Sequence, residues 1–374
     1  MKVLHLLSGY GVGGIGTMVY SLVRAQTRVS RLEPAILYSR LSDRARQKHA
    51  ETGADMHVVK LSGGYDVSPV AAYRLRKLFR QYDVLHFHYF HPMYSLCSIG
   101  SGARTVYTFH GNFGFHRKKT IKDHVKNALL AKFVKNFVDF ITYNSSFSRR
   151  TAEDMYSITN ARCEIVHNGL EIERISGNPS HLPPDTAARL RNKFMVGACG
   201  RLVRMKRIDR LIDAFAQFGK RKSDVALVIV GDGILRQDLQ DQIDALGLSD
   251  TALITGYQDN AQDYEAAMDV CAMPSSGEPF GLVALEALAM GKPTVVFEDG
   301  GGVVEIIKDC VAEDVVSSVD GMAARLEHYY RNRTPQTDRA AHFRRHAQRF
   351  HIDATTAKFT KVYERVLSGR ARGQ

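Results

Sequence analysis

The sequence lacks any run of apolar residues long enough to cross a membrane as a helix, although 44% of its 374 residues are hydrophobic. The apolar segment 1–7 is too short for a signal peptide and is followed directly by a glycine-rich stretch. The five cysteines are odd in number and share no spacing typical of metal ligands, so we expect reduced thiols. These absences predict a globular protein of the cytoplasm.

Two missing motifs limit the chemistry. No Asp-x-Asp pair occurs anywhere, so the sequence offers no obvious carboxylate pair for a divalent cation. The glycine-rich segment 9–16 lies between a predicted strand and a helix predicted over 17–24, as phosphate-binding loops do. Its spacing departs from the dinucleotide fingerprint, and a tight turn that requires glycine is an equally good interpretation.

Positive charge is concentrated in the first half of the chain. The formal net charge is +12, and residues 1–170 hold 24 Lys and Arg against 11 Asp and Glu, whereas the remainder is close to neutral. An excess of one sign indicates an anionic partner: nucleic acid, a membrane surface or an acidic substrate. Nucleic acid is the weakest of the three, because the basic stretches lack interleaved aromatic residues and carry no known nucleic-acid motif.

A basic amphipathic helix is predicted over 118–137. Its apolar residues recur every four positions, and we expect this stripe to pack on the helix's own domain: Ile121, Val125, Leu129, Phe133 and Phe137. The lysines would occupy the other surface and face an anionic membrane, where each contributes about 1 kcal/mol at most. The predicted membrane-facing residues are Lys118, Lys119, Lys122 and Lys126.

The order of the predicted elements indicates two α/β domains. Strands and helices alternate over 2–169 and again from residue 194, and segment 176–185 between them is rich in Ser, Pro and Gly. A chain of this length exceeds the size at which one core usually divides. We expect two doubly wound parallel sheets with a ligand cleft between them, as domains 1–172 and 193–351 joined by a linker over 173–192.

Histidines follow two neighbouring strands of the first predicted sheet. His86 and His88 end a strand predicted over 83–88, and His110 follows one predicted over 104–109. Ligands of open α/β sheets bind at the carboxyl ends of the strands. His110 is the stronger candidate because Gly111 allows close approach, whereas a structural hydrogen bond is the better interpretation of His86 and His88.

The most specific pattern lies in segment 274–297, which reads as a polar loop, a helix over 282–290 and a strand over 294–297. A helix that begins beside Gly281 offers free N–H groups to an anion. Glu278 and Glu286, eight residues apart, can accept hydrogen bonds from hydroxyl groups on either side of it. A phosphate flanked by hydroxyls is what a nucleotide sugar presents; the alternative is an ordinary helix with two solvated glutamates.

These stretches together resemble the glycosyltransferase family 4 group of retaining enzymes with the GT-B fold. Gly200-Arg201-Leu202 with Lys206 is similar to the family's phosphate loop, and the E-x7-E motif is matched by Glu278 and Glu286. Other matching stretches are Gly231-Asp232-Gly233 with Arg236, and segments 13–14, 83–88, 108–111, 166–169 and 301–305. Two departures are Arg207, where glycine is common, and segment 308–316, which lacks the family's acidic-Gly turn and Gly-Leu-Leu-Val strand.

The resemblance implies an arrangement of the whole chain. Two Rossmann-like domains would face each other across a cleft, the first binding the acceptor and the second the nucleotide sugar. A last helix over about 352–370 would return to the first domain. The family usually needs no metal, which agrees with the missing Asp-x-Asp, so we expect no cofactor.

The resemblance also implies roles for single residues. Arg201 and Lys206 would pair with the donor diphosphate, Glu278 would face the donor hexose, and His110 would contact the transferred sugar near the reacting carbon. Glu286 would accept both ribose hydroxyls. The other donor-binding positions are Gly13, Gly14, Gly231, Phe280, Gly281 and Leu282, and the acceptor side would include His86 and His88.

The interpretation that follows is a retaining, metal-independent hexosyltransferase, with no nucleic acid as partner. It would transfer from a nucleotide sugar to a lipid-linked or cell-envelope glycan acceptor, as in polysaccharide or lipopolysaccharide biosynthesis. We expect it to be cytoplasmic and peripherally attached to the inner face of the membrane. The alternatives are a soluble GT-B transferase for a small-molecule acceptor and, less favoured, a basic nucleic-acid-binding protein.

Overall fold

The computed structural model describes residues 1–7, 13–61, 68–111, 120–159, 162–333 and 337–369. The chain forms two compact units, one of Met1–Leu170 with His351–Gln374 and the other of Glu171–Phe350. Among the described residues, no helix is both long and apolar enough to cross a bilayer.

A seven-stranded parallel sheet forms the centre of the first unit, as far as that unit is described. Its central strands are short runs of buried residues, which is typical of parallel sheets covered on both faces. The strands in chain order are β1 (Lys2–Leu7), β2 (Glu33–Tyr38), β3 (Asp55–Val58), β4 (Val84–Phe87), β5 (Arg104–Phe109), β6 (Phe140–Tyr143) and β7 (Cys163–Ile165). They lie in the order β3-β2-β1-β4-β5-β6-β7, so the strand order reverses at β1 and β4.

Helices connect these strands: α1 (Gly14–Thr27), α2 (Asp43–Ala50), α3 (Pro69–Phe79), α4 (Pro92–Ser98), α5 (Ile121–Phe137) and α6 (Ser146–Tyr156). α5 begins with a capping box in which the Asp123 N–H donates to the Thr120 hydroxyl and the Asp123 carboxylate accepts from the Thr120 N–H. This box gives hydrogen-bond acceptors to two backbone N–H groups, those of Thr120 and Asp123, and marks the start of the helix.

The apolar stripe predicted for α5 is wrong in part. Phe133 is buried in the core with Leu130 and Val134, but Val125 and Leu129 are 50% and 43% exposed. Because a helix has 3.6 residues per turn, a repeat of four rotates by about 40° at each step and leaves the buried face. Phe137, at the end of the repeat, is also exposed.

The lysines predicted to face a membrane have different surroundings. Lys126 is half-buried, and its ammonium group donates to the Tyr89 hydroxyl at 3.3 Å and lies 4.8 Å from the centre of that ring. Lys118, Lys119 and the side chain of Lys122 lie outside the described residues. The exposed lysines of the described part of α5 are Lys135, which the sequence places on the same basic surface, and Lys132, which the prediction did not include.

The second unit contains, in its described residues, a six-stranded parallel sheet in the order β10-β9-β8-β11-β12-β13. Its strands are β8 (Phe194–Cys199), β9 (Val225–Val230), β10 (Ala252–Gly256), β11 (Val270–Met273), β12 (Thr294–Phe297) and β13 (Val315–Val316). Its helices are α7 (Pro184–Leu190), α8 (Ile208–Gly219), α9 (Arg236–Ala245), α10 (Ala261–Ala267), α11 (Leu282–Ala289), α12 (Gly302–Lys308), α13 (Val319–Arg331) and α14 (Thr337–Gln348). The predicted pair of doubly wound parallel sheets is therefore confirmed.

Segment 173–192, predicted to be a linker, is instead part of the second unit. α7 lies within it, and Leu182 and Leu190 are buried in the core of that unit. The Asn178 N–H donates to the Asp263 carboxylate at 2.8 Å, and a methyl group at Gly177 would overlap the Gln262 carbonyl. Glycine at position 177 is therefore required by the close approach of the two backbones.

The last helix, α15 (Ile352–Leu367), belongs to the first unit. It packs against α1 and β5, and Thr355 donates a hydrogen bond to the His167 carbonyl at 3.0 Å. Gly169 lies directly under its first turn, where a methyl group would come within 2.7 Å of the Ile352 Cα. The expected return of the chain to the first domain is thus seen within that unit.

The two departures from the family pattern have structural counterparts. Segment 308–316 ends in β13, which is only two residues long and pairs with β12. Arg207 adopts a left-handed conformation, with φ 45° and ψ 40°, at the start of α8. This conformation favours glycine, and here the Arg207 guanidinium binds the Asp209 carboxylate at 2.9 Å.

Candidate active site

Two loops at the carboxyl ends of neighbouring strands β8 and β9 are joined by their backbones. The Leu202 N–H donates to the Asp232 carbonyl at 2.9 Å, and the Leu235 N–H donates to the Leu202 carbonyl at 3.1 Å. At Gly231, φ is 145°, and a methyl group there would overlap the carbonyl oxygen of Gly200. Glycine at 231 is therefore required for the two predicted motifs to form one surface.

A salt bridge links the first of these loops to the central segment of the second unit. The Lys206 ammonium group donates to the Glu278 carboxylate at 2.6 Å, across 72 positions of sequence. The two side chains are only 13% and 16% exposed, so the pair is partly shielded from water. The structure thus brings together the cation predicted to bind phosphate and the carboxylate predicted to face the hexose.

The backbone around Glu278 is fixed by a second glycine turn. The Glu278 N–H donates to the Gly300 carbonyl at 2.8 Å, and the Gly302 N–H donates to the Glu278 carbonyl at 2.7 Å. Gly301 has a φ of 82°, and a methyl group there would lie 2.5 Å from the Glu278 carbonyl oxygen. Gly301 and Gly302, which begin the matching segment 301–305, therefore position Glu278.

Helix α11 starts at the same place. Gly281 is its N-cap, with a φ of 105°, and a methyl group there would lie 2.6 Å from the Val303 side chain. Phe280 is buried against Phe350, with ring centres 6.1 Å apart. The N–H groups at the first turn, from Leu282 onward, carry the partial positive charge of a helix start beside the Lys206–Glu278 pair.

Glu286 stands on α11 near a second carboxyl group that the sequence did not reveal. Burial raises the pKa of Glu286 to about 7. Burial also raises the pKa of Glu265 well above its ordinary value, and the neighbouring Glu286 adds to this, while a hydrogen bond from the Cys199 thiol opposes it. Two carboxyl groups in one dry region disfavour the state in which both are ionised. Glu265 lies on α10, where its spacing carries no motif.

Arg201 lies two residues after the end of β8 and is exposed. In the part of the chain that the structure describes, its guanidinium has no ion pair, in contrast to the neighbouring cation Lys206. A planar guanidinium of this kind can bind phosphate oxygens in pairs.

Arg210 holds the backbone on both sides of Glu278, a contact that the sequence did not indicate. Its guanidinium donates to the Pro274 carbonyl at 2.8 Å and to the Asp299 carboxylate at 3.0 Å, and it lies 4.1 Å from the centre of the Phe297 ring. Arg210 therefore ties α8 to both ends of the segment that holds Glu278. Nothing in its sequence surroundings separates it from any other arginine on an amphipathic helix.

The other predicted site residues belong to the first unit. Gly13 caps α1 with a φ of 104°, a conformation that favours glycine, and Gly14 is the first residue of that helix. At Gly14 an added methyl group would meet no atom within 4 Å in the described part of the unit. The fold itself therefore does not explain glycine at position 14.

His110 follows β5 and is buried, and its Nε2 lies 3.0 Å from His88 Nδ1. His86 and His88 are also buried, and each of their ring nitrogens has a hydrogen-bond partner within the unit. The assignment of His86 and His88 to the acceptor side stays a prediction. Because both side chains are buried, they would influence an acceptor through the residues that they contact. Gly111, directly after His110, has a φ of 97°, a left-handed conformation that favours glycine.

The fold defines the class: a protein of two Rossmann-like units with parallel sheets and the GT-B architecture. The family model of group 1 glycosyl transferases matches residues 186–350, and that of glycosyltransferase family 4 matches residues 12–174. The chain belongs to the glycosyltransferase family 4 group.

Among the relatives is the N-acetylgalactosamine-N,N'-diacetylbacillosaminyl-diphospho-undecaprenol 4-alpha-N-acetylgalactosaminyltransferase of Campylobacter jejuni. It is 31% identical over 187 residues, which is 49% of either chain. The GDP-mannose-dependent alpha-(1-6)-phosphatidylinositol monomannoside mannosyltransferase of Mycolicibacterium smegmatis is 30% identical, over 50% of this chain and 51% of the relative. The chain therefore matches about half the length of these curated relatives.

The crystal structure of Anabaena HepE in complex with UDP is similar over 97% of this chain and 100% of that one, with a TM-score of 0.80. Its sequence identity to this chain is 20%, so the likeness concerns the fold.

Proposed function

We propose that the protein is a retaining glycosyltransferase that moves a hexose from a nucleotide-diphospho-sugar to a lipid-linked or cell-envelope glycan acceptor. The observation that carries the proposal is the Lys206–Glu278 salt bridge of 2.6 Å at the glycine-capped start of α11. At this place lie a cation that can bind phosphate, a carboxylate that can accept hydrogen bonds from hydroxyl groups, and a helix start that can bind an anion. A nucleotide sugar needs these three kinds of partner at one place.

The chemistry requires stabilisation of charge more than a covalent intermediate. When the sugar–phosphate bond breaks, negative charge grows on the diphosphate and the donor carbon becomes oxocarbenium-like. Arg201 and Lys206 would stabilise the diphosphate, and Lys206, which is held by Glu278 and partly shielded from water, would do so without reorganisation. The leaving phosphate would then take the acceptor proton on the same face of the sugar, which retains the configuration. We propose that the reaction needs no metal or other cofactor.

The acceptor class is supported by the relatives. The Campylobacter relative is named for a diphospho-undecaprenol acceptor and the Mycolicibacterium relative for a phosphatidylinositol mannoside. Val125 and Leu129 are exposed on α5 beside the exposed Lys132, which suits contact with an anionic lipid surface. We propose a cytoplasmic protein attached peripherally to the inner face of the membrane, with no nucleic acid as partner.

Release of nucleoside diphosphate tests the proposal. UDP-, GDP- and ADP-hexoses would be incubated in EDTA with the wild type and with Arg201→Ala and Lys206→Ala, using water as the acceptor. Arg204→Ala is the matched control, since Arg204 is an exposed cation of the same loop.

We expect one donor class to be hydrolysed in EDTA. Each of the two site substitutions should lower kcat by about 10²-fold, the scale for losing one group that stabilises transition-state charge, while the control changes little. Activity that EDTA abolishes and magnesium restores would contradict the metal-free mechanism. Release that is no faster in the wild type than in Lys206→Ala, for every donor, would contradict the function.

A further inference from the structure

Three buried histidines and a glutamine form one row of hydrogen bonds in the first unit. Gln26 Oε1 lies 2.8 Å from His5 Nε2, His5 Nδ1 lies 2.9 Å from His88 Nε2, and His88 Nδ1 lies 3.0 Å from His110 Nε2. The row therefore connects a glutamine on α1 to His110, the residue that the family resemblance predicts to contact the transferred sugar. Every member is buried.

The fold places these residues through strand pairing. β1 and β4 are adjacent parallel strands, and their register sets His5 beside His86, so that His88 follows on the same edge. The His5 and His88 rings lie edge to edge with centres 5.2 Å apart and planes 16° apart, and the His88 and His110 rings do so with centres 5.3 Å and planes 29° apart. Because the register of a central parallel strand is fixed on both sides, the row is held rigidly.

A second row starts from the other amide atom of Gln26. Gln26 Nε2 donates to the Tyr363 hydroxyl at 3.3 Å, and this hydroxyl lies 2.8 Å from His86 Nδ1. His86 Nε2 lies 2.6 Å from the hydroxyl of Thr108. Tyr363 comes from α15, so the last helix contributes to the orientation of Gln26. With its Nε2 on Tyr363, Gln26 presents an acceptor to His5.

Burial keeps the rings neutral. It lowers the pKa of His5 to about 4 and that of His110 to about 3, and it lowers those of His86 and His88 well below the ordinary value. A neutral imidazole carries one proton, on either Nδ1 or Nε2, so it donates at one nitrogen and accepts at the other. The proton position at one end of the row therefore determines every position along it.

The tautomers follow in sequence from Gln26. The amide oxygen can only accept, so His5 carries its proton on Nε2 and accepts at Nδ1. His88 then donates from Nε2 and accepts at Nδ1, which leaves His110 to donate from Nε2. His110 Nδ1 is consequently an unprotonated nitrogen that can accept a hydrogen bond.

A metal site is the competing interpretation, because one nitrogen each of His5, His86 and His88 lie within 4.8 Å of one another. However, every ring nitrogen of these three residues already has a hydrogen-bond partner at 2.6–3.0 Å. His5 and His88 point their nitrogens at each other instead of at a common point. A zinc ion would need to break several of these bonds to gain its ligands.

We propose that Gln26, His5 and His88 are positioning residues that hold His110 in its Nε2–H tautomer, with Nδ1 as the acceptor. The consequence for catalysis rests on the proposed function, since it requires that His110 contact the sugar. The tautomer itself does not depend on that function and can be measured on the protein alone.

Long-range 1H–15N NMR of histidine-labelled full-length protein reads the protonated nitrogen of each ring. The His110 signals would be identified by their loss in His110→Gln. The test variants are Gln26→Met, which removes the terminal acceptor at nearly constant shape, and His5→Phe, which removes the second ring's nitrogens. His49→Phe is the matched control: His49 is buried in the same unit and bonded at both nitrogens, to the Tyr38 hydroxyl and the Ala54 carbonyl, outside the row.

We expect His110 to be the Nε2–H tautomer in the wild type and in His49→Phe, and to lose this single tautomer in Gln26→Met and His5→Phe. An Nδ1–H tautomer in the wild type would overturn the proposal, as would an unchanged tautomer in both test variants. So would displacement of the His5, His86 and His88 signals by one equivalent of Zn²⁺, which would establish the metal site.

Kinetics provide a second readout. With the donor identified by the release assay, Gln26→Met should lower kcat by about 2- to 10-fold, the range that corresponds to one net hydrogen bond, with KM nearly unchanged. A protein with the predicted tautomers but no donor turnover would reject the proposed function and leave the positioning row intact. Unchanged kcat in Gln26→Met together with an altered tautomer would show that the row does not serve catalysis.

Discussion

At the scale of single residues, Glu286 is the position where burial and ligand recognition oppose each other most strongly. Burial raises its pKa to about 7, so near neutral pH the carboxyl is partly protonated when no ligand is present. An ionised carboxylate can accept two hydroxyl hydrogen bonds, whereas a protonated one offers a weaker acceptor. Its proposed role on the ribose therefore predicts both an affinity effect and a pH effect.

Glu286→Gln should weaken binding of the nucleoside diphosphate by about 1–3 kcal/mol, the scale of a hydrogen bond to a charged group. Isothermal calorimetry with UDP, GDP and ADP at pH 8 would measure it, with Glu298→Gln as the control because Glu298 is an exposed carboxylate on the turn before Gly301. The wild type should also gain affinity relative to Glu286→Gln as the pH rises through about 7, since only the wild type ionises there.

The same shift has a consequence for stability. A carboxyl whose pKa is raised on folding holds its proton more tightly in the folded state, so its contribution to stability falls as the pH rises from about 4.3, the unfolded value, through about 7. Glu286→Gln should therefore gain stability relative to the wild type over that window.

In the binding experiment, equal nucleotide affinity of Glu286→Gln and the wild type at pH 8 would show that Glu286 does not belong to the donor site.

The sequence singles out residues that carry a local pattern, whose roles stay predictions, and it does not reveal contacts between distant partners. Lys206 and Glu278 were found because each lies in a loop motif, although their contact spans 72 positions. Glu265 and Arg210 lie on ordinary helices, and Gln26 reaches Tyr363 across 337 positions. No spacing in the sequence encodes such a contact, because it arises only when the sheet and helices have packed.

At the scale of elements, glycine has two different reasons to occur at the starts of helices. Gly281 is required by the fold, since its φ is 105° and a side chain would strike Val303. Gly14 has no such reason in the described part of its unit, which suits a role in close approach to the donor diphosphate.

The two alanine substitutions should therefore differ. Gly281→Ala should cost more than about 1 kcal/mol of unfolding free energy, because it adds backbone strain to a collision. Gly14→Ala should leave stability unchanged or raise it by about 0.4–1 kcal/mol, yet lower donor turnover. Chemical denaturation and the release assay would measure both; full turnover in Gly14→Ala would show that the diphosphate does not approach this position.

α5 shows why the surface of a helix is harder to predict than its existence. The sequence located the helix to within a few residues, and buried strands such as β5 and β12 were placed at their observed bounds. The prediction of which side of α5 faces the core was wrong. A repeat of four residues does not form a straight stripe along a helix, because 3.6 residues complete a turn. The resulting exposed face combines apolar and basic side chains.

This face predicts salt-sensitive membrane attachment. Wild-type protein should sediment with anionic vesicles at low salt and less at 1 M, where the Debye length is roughly 3 Å. Two double variants, Lys132→Glu with Lys135→Glu and Val125→Ser with Leu129→Ser, should each weaken this binding. Arg333→Glu is the control and should not weaken it, because Arg333 is an exposed cation of the second unit. Equal binding of all four proteins, or equal binding to neutral vesicles, would favour a soluble transferase with a small-molecule acceptor.

At the scale of the whole molecule, each unit contains its own sheet, core and set of candidate residues. The alternation of strands and helices was sufficient to predict two such units. It was not sufficient to assign segment 173–192, because its turns pack closely against the second unit instead of linking the two. The excess positive charge of residues 1–170 suits a partner with phosphate groups, as the proposed lipid-linked acceptor has.

The stereochemistry of sugar release tests the central claim most directly. With the donor found in the release assay, 1H NMR would follow which anomer of the hexose is released first, before mutarotation mixes the two. A retaining glycosyltransferase predicts that an α-linked donor yields the α-anomer first, with release lost in Lys206→Ala. The β-anomer appearing first would contradict the retaining mechanism, and the absence of enzyme-dependent release from all nucleotide sugars would contradict the function.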